Sequence, residues 1–248
     1  MDCIPNGLRP DKRMICGLSD KGTRYLNEDA IAIEEVPDGL IAVLADGMGG
    51  HAAGEVAAAI AIATVREVIV HSYKPGISAP DIADILVDAF VTAHEVVISK
   101  AYDEKAGMGT TLVAAIIRGN ELIAVNTGDS RIMLIRNGEI ILESEDHTPV
   151  RTMYRMGMIT EDEAMVHPYR HILNHAIGID LKTDAYLFSL EKDDVLLLTS
   201  DGIHDYLGKE DILSCTRTGD AQGIATGIME MALPVSEDNC SIIAYLHQ

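Results

Sequence analysis

The chain has no tryptophan, only two phenylalanines and an aromatic content of 4%, so its core has to be assembled from Ala, Val, Ile, Leu and Met. The four cysteines, Cys3, Cys16, Cys215 and Cys240, are scattered, with no CxxC pair and no Cys/His spacing of the kind that holds zinc. They read as reduced thiols, not as a disulfide frame. Long hydrophobic runs are missing too: the longest, Val56 to Val65 with Thr64 inside it, stops at Arg66 and falls short of a bilayer span. Met1 to Gly17 carries charges and two prolines, Pro5 and Pro10, and lacks the continuous apolar stretch of a signal peptide. Positive charge is also scarce. Against 39 acidic residues there are 19 Lys and Arg, a net charge of −20 that repels nucleic-acid backbones and anionic lipid surfaces. Together these absences exclude nucleic acid and membrane as natural partners and point to a cytoplasmic protein. With no heptad pattern, a monomer is expected.

What is present is a chain of 248 residues, 48% apolar, with no linker-like stretch, which we read as one domain over residues 1–248. Short apolar runs bounded by turn residues predict strands at Ala30–Ile33, Leu40–Ala45, Thr111–Ile117, Leu122–Asn126, Arg131–Ile135, Asp194–Thr199 and Ser241–Leu246. Pro37-Asp38-Gly39, Arg118-Gly119-Asn120 and Asn137-Gly138 have hairpin chemistry, so the sheets should be mainly antiparallel. Helices are predicted over Ala53–Ser72, over Asp81–Asp103 with Pro80 before it and Asp81 as candidate cap, and over Ala221–Ala232, stopped before Pro234. Clustered strands with segregated helices predict an α+β sandwich. Between Asp146 and Gly178 the pattern turns Met- and His-rich with a Thr160…Glu163 capping box, which suggests a small inserted flap.

The informative pattern is where the aspartates fall. Leu40 to Ala45 runs apolar and ends at Asp46-Gly47; Val195 to Ser200 ends at Asp201-Gly202; Leu122 to Asn126 leads into Gly128-Asp129; Asp29 and Asp238 stand just before apolar strands. Any single Asp-Gly is an ordinary turn signal, and Asp38-Gly39 illustrates that use. Asp46 and Asp201, however, each end a buried run, where an unpaired carboxylate is costly. Two carboxylates ~4 Å apart repel by about 4 kcal/mol at an effective dielectric of ~20, and several at one sandwich edge would either protonate or demand a cation, a metal being the economical answer. Ligation by oxygen alone selects Mg²⁺ or Mn²⁺, and Gly47, having no side chain, lets its carbonyl approach an ion. Two such ions sharing a water suit in-line hydrolysis at phosphorus, with Arg24 as a forked partner for the phosphate oxygens.

Several strings in order resemble the metal-dependent protein phosphatases, the PPM or protein phosphatase 2C family: Gly22 to Ala30, Ala45 to His51, Gly109-Thr110-Thr111, Gly128-Asp129-Ser130-Arg131, Glu145-Asp146-His147-Thr148, Ser200-Asp201-Gly202 and Asp238-Asn239. The resemblance runs from about residue 17 to the C-terminus, in a form common among bacterial members. It implies a four-layer αββα sandwich with a flap over about residues 148–178, and hydrolysis of phosphoserine and phosphothreonine in proteins phosphorylated by a Ser/Thr kinase. It assigns Asp46, Gly47, Asp201 and Asp238 to two core Mn²⁺ or Mg²⁺ ions, Glu28 and Asp29 to metal or its water, Asp129 with Asp201 to a third ion, and Arg24 to phosphate. Two departures stand out. Arg24 follows Gly22 by one residue fewer than is usual, and Met48 holds the place of a histidine proposed as general acid in many eukaryotic members, leaving His51 or a metal-bound water as proton donors. His167, His171 and His175 recur every fourth residue, but Pro168 argues against a continuous metal-binding helix face.

Two other readings compete. Gly47 to Ala52 fits GxGxx[G/A] after a strand and before a helix, the fingerprint of dinucleotide binding, yet Asp46 would face the pyrophosphate and no acidic strand end follows about 20 residues on. The same fold without turnover, a catalytically weak scaffold that binds phosphoproteins, is the alternative function, and the complete set of acidic positions weighs against it.

Overall fold

A computed structural model of the chain describes residues 14–49, 53–217 and 219–248. One antiparallel sheet is built from β2 (Asp29–Val36), β3 (Gly39–Met48), β5 (Leu112–Arg118), β6 (Glu121–Thr127) and β9 (Asp184–Ser189) in that spatial order, with the two-residue β4 (Gly109–Thr110) paired to the end of β3. The other runs β1 (Ile15–Asp20), β11 (Cys240–Leu246), β10 (Val195–Thr199), β7 (Arg131–Arg136), β8 (Glu139–Glu143). Helices α1 (Ala53–Ser72) and α2 (Ala79–Lys100) cover the first sheet, and α5 (Asp201–His204), α6 (Lys209–Thr216) and α7 (Ala221–Ala232) lie on the second. Two short helices, α3 (Pro149–Arg155) and α4 (Glu161–Met165), form the flap.

Three apolar clusters account for four layers. Strand residues alternate between faces: Ile41, Val43 and Ala45 of β3 pack with Ala57, Ala61, Leu86 and Phe90 of the helices, while Ala42 and Leu44 turn inward. In the opposite sheet Val195 and Leu197 meet Ile224 and Ile228 of α7, and Leu196 and Leu198 turn inward to join Ile243 and Tyr245 between the sheets. The αββα arrangement expected from the sequence is therefore present. Continued by two residues, the inward parity of β3 and β10 reaches Asp46 and Ser200, and that of β2, set by Ile31 and Ile33, starts at Asp29.

Details differ from the sequence reading. Helix α2 begins at Ala79 and its cap is Ser78, whose hydroxyl accepts from the Asp81 amide; Asp81 instead sits in the first turn, where its charge suits the helix dipole. It ends at Lys100, and Asp103 falls in a separate helical turn with positive φ. The capping box at Thr160 forms as expected, with Glu163 returning to the Thr160 amide at 2.8 Å. Strands β1, β4, β8 and β9 were not anticipated.

Candidate metal centre

The ends of β3, β10 and β11, together with the turn between β6 and β7, converge on a pocket of about 460 Å³ lined by Asp46, Asp129, Asp201, Asp238, Glu28 and Arg24 among others. Asp46 owes its place to a hand-over within the sheet. β3 pairs with β5 as far as Leu44 and with β4 from Gly47, and Thr111 fills the break between them. The Thr111 amide and the Thr110 hydroxyl both donate to the Asp46 carbonyl at 2.9 Å, and the Asp46 amide donates to the Thr111 hydroxyl at 3.0 Å. The Gly109-Thr110-Thr111 string thus fixes the backbone from which the carboxylate projects. Gly128, with φ 96°, turns β6 toward Asp129 so close to Thr111 that a Cβ there would lie 2.7 Å from its side chain.

Asp201 opens α5, and Asp238 precedes β11. Gly202 after Asp201 is required by space: a Cβ would come within 1.9 Å of the Asn239 carbonyl. Asn239, noted in the sequence only as a neighbour of Asp238, ties the pocket together. Its Oδ1 accepts from the Glu28 amide at 2.8 Å, and its Nδ2 donates to the carbonyls of Lys21 and Leu26, each at 2.9 Å. Arg24 reaches the rim despite its shortened spacing. Gly22, at φ 56° and hard against the Asp238 carbonyl, makes the tight turn, and Arg24 then donates from Nη2 to Asp238 at 2.8 Å and from Nε to the Glu237 carbonyl at 2.9 Å.

Asp29 lies beneath the pocket, directly across the strand pair from Asp46. Both its carboxylate oxygens are buried without a hydrogen-bond partner. Burial pushes its pKa up to about 6, and the hydroxyls of Ser241 and Ser200, beyond hydrogen-bond reach, offset this only in part. Burial first, then the charges of Asp238 and Asp205, raise Asp201 to about 7. Asp46 is raised well above the carboxylate range by burial and then by Asp29, Asp201, Asp129 and Asp238; Asp129 is raised by burial, Asp201 and Asp146. Glu28 moves up through burial as well. Such a set is unfavourable on its own. The donors are all oxygen, two are orphaned, and a hard divalent cation supplies what they lack, so these residues fit Mn²⁺ or Mg²⁺.

The structure brings all eight sequence-derived site residues, Arg24, Glu28, Asp29, Asp46, Gly47, Asp129, Asp201 and Asp238, to this edge. Met48 lines the pocket as the sequence implies, and His51 lies outside the described residues. The flap histidines separate. Only His171 reaches the pocket, its Nδ1 3.2 Å from Asp205, where His171, Asp201 and Asp205 place ligand atoms within 4.8 Å of one another; His175 packs edge-on against His147. Tyr206, also lining the pocket, carries no sequence signal of its own: it lies in the turn just after the four-residue α5, a helix too short to show periodicity. A wider groove of about 750 Å³ between α1 and α2 has an apolar floor and no convergent carboxylates.

Comparison with known proteins agrees with this geometry. The protein phosphatase 2C family model matches residues 16–222. The serine/threonine phosphatase stp of Listeria monocytogenes is 34% identical over 209 residues, 81% of this chain and 82% of that protein. The solved S. agalactiae serine/threonine phosphatase superposes with a TM-score of 0.88 at 29% identity, covering 94% of this chain and 99% of that one. The catalytic domain of the serine/threonine protein phosphatase PstP, solved in complex with two manganese ions, gives 0.79 at 30% identity, covering 94% and 98%.

Proposed function

Because this chain belongs to the protein phosphatase 2C family and is a serine/threonine protein phosphatase, we propose that it hydrolyses phosphoserine and phosphothreonine in proteins with two divalent cations, Mn²⁺ or Mg²⁺. Asp46, the Gly47 carbonyl, Asp201 and Asp238 would hold the core pair, with Glu28 and Asp29 in contact directly or through water, and Asp129 with Asp201 would take a third. When bound, the cations supply a water of lowered pKa and positive charge against the phosphate oxygens. The chain's residues do the rest. Arg24, at the rim with no hydrogen bond on Nη1 among the described residues, orients the phosphoryl group by its planar fork. Tyr206 and His171 line the same pocket and are the side chains placed to pass a proton toward the leaving hydroxyl, since Met48 offers none.

The observation that carries this reading is the convergence of carboxylates from both sheets, with Asp29 unsatisfied beneath them. Its substrates are proteins modified by a Ser/Thr kinase. We place it in the cytoplasm as a monomer; no helix among the described residues is long and apolar enough to cross a membrane, and light scattering on purified protein tests the oligomeric state. Turnover of p-nitrophenyl phosphate and of a phosphothreonine peptide should require Mn²⁺ or Mg²⁺, stop with EDTA, and fall at least about 100-fold in Asp201→Asn. Folded, metal-loaded protein that binds phosphopeptide without turnover would instead establish the scaffold.

A further inference from the structure

Beside the catalytic pocket, and sharing Asp129 and Tyr206 with it, lies a second cleft of about 300 Å³ between the flap and the turn from α5 to α6. Its charges are almost all spoken for. Arg131 grips Asp146 with two bonds of 2.8 and 2.6 Å, Lys209 donates to Glu143 at 2.8 Å, and Asp205 faces His171 at 3.2 Å with Arg170 at 4.0 Å. Asp129 belongs to the metal set. Among the described residues no carboxylate pairs with Arg151, and its Nε is buried without a hydrogen-bond partner.

Arg151 is also held in place. It occupies the first turn of α3, its amide donating to the Thr148 hydroxyl at 3.0 Å, and its guanidinium carbon sits 5.2 Å from the centre of the Tyr154 ring. Contact with an aromatic face orders a guanidinium while leaving its N–H edge for a planar anion. In a chain with a net charge of −20, an ordered guanidinium that no carboxylate among the described residues pairs with, one pocket away from the carboxylate cluster, is a local exception.

We propose that this cleft is an anion subsite in which Arg151 receives a second negatively charged group, carboxylate or phosphoryl, carried by the same peptide as the phosphoresidue being hydrolysed. This rests on the phosphoprotein reading above. Continuity of the two pockets through Asp129 and Tyr206 makes the second group a neighbour along one extended peptide. The subsite offsets the repulsion that so acidic an enzyme exerts on acidic substrates. The flap thereby selects substrates by charge, through one side chain.

The test uses three phosphothreonine peptides that differ at one nearby position, glutamine, glutamate or a second phosphothreonine, scanned from two to four residues on either side. With the Mn²⁺-loaded enzyme, kcat/KM at low salt should be about fivefold or more higher for the best glutamate peptide than for its glutamine counterpart, and higher again for the doubly phosphorylated one. The ratio should shrink as salt is raised, collapse to near one in Arg151→Gln, and partly recover in Arg151→Lys. Equal kcat/KM at every position, or a ratio that survives Arg151→Gln, would overturn the subsite and leave the phosphatase reading intact. Cleavage of p-nitrophenyl phosphate with no peptide turned over would overturn both.

Discussion

Asp29 and Asp46 oppose each other in register, a pairing of like charges that a two-stranded register ordinarily avoids. Their raised pKa values set a pH dependence for the metal-free protein. An aspartate whose pKa is higher folded than unfolded binds its proton more tightly in the folded state, so its contribution is fullest below the ordinary carboxylate range and is lost as pH rises through the raised value. For Asp29 and Asp201 those values are about 6 and about 7. EDTA-treated protein should therefore melt at a higher temperature near about pH 5.5 than near about pH 7.5 by calorimetry, with Asp29→Asn flattening the slope; a melting temperature that climbs over that interval contradicts the assignment. At this scale the sequence was legible where chemistry and position coincided. Asp46 and Asp201 end long apolar runs and announce themselves. Asn239 does not, because an amide beside an aspartate is an ordinary turn residue until the two carbonyls and the amide it holds are seen, contributed by residues more than 200 positions away.

Among elements, the strands and helices read correctly are those buried on both faces or long enough to repeat their pattern: α1 and α7 match to the residue, and β10 is buried throughout. Those missed have weaker signatures for physical reasons. β8 and β9 are edge strands, partly exposed, and β8 pairs through an irregular register. β1 carries Gly17, where a Cβ would crowd the side-chain ends of Ile31 and Ile33 at 3.0 and 3.1 Å, and that glycine breaks the apolar run. Asp194, read as the first residue of β10, instead clamps Arg136 with bonds of 2.8 and 2.7 Å just before the strand. The loop from Lys21 to Glu28 is bound to the start of β11 mainly by Asn239. Asn239→Ala should cost about 2–3 kcal/mol by urea unfolding with little change in slope, and raise KM by freeing the loop that carries Arg24. A change under about 0.5 kcal/mol would show that the three bonds hold nothing that water cannot replace.

For the molecule as a whole, the balance between an apolar core and a concentrated negative edge predicts that bound cations add to the fold's stability. Binding to the folded state alone at a hundredfold excess over Kd adds about 2.7 kcal/mol, equivalent to roughly 5–10 °C in melting temperature for a chain of this size. Titration with Mn²⁺ followed by differential scanning fluorimetry should show that rise and lose it in Asp46→Asn; an unchanged melting temperature would mean the edge does not bind the ion. The two sheets meet at this edge from opposite sides: Asp29 and Asp46 lie on strands of one, while Asp201 follows β10 and Asp238 precedes β11 of the other. With cations bound as proposed, the site would be a clasp as well as a reaction centre. Any change that tuned such a grip on the metal for turnover would then also alter how firmly two leaves of one book are held shut.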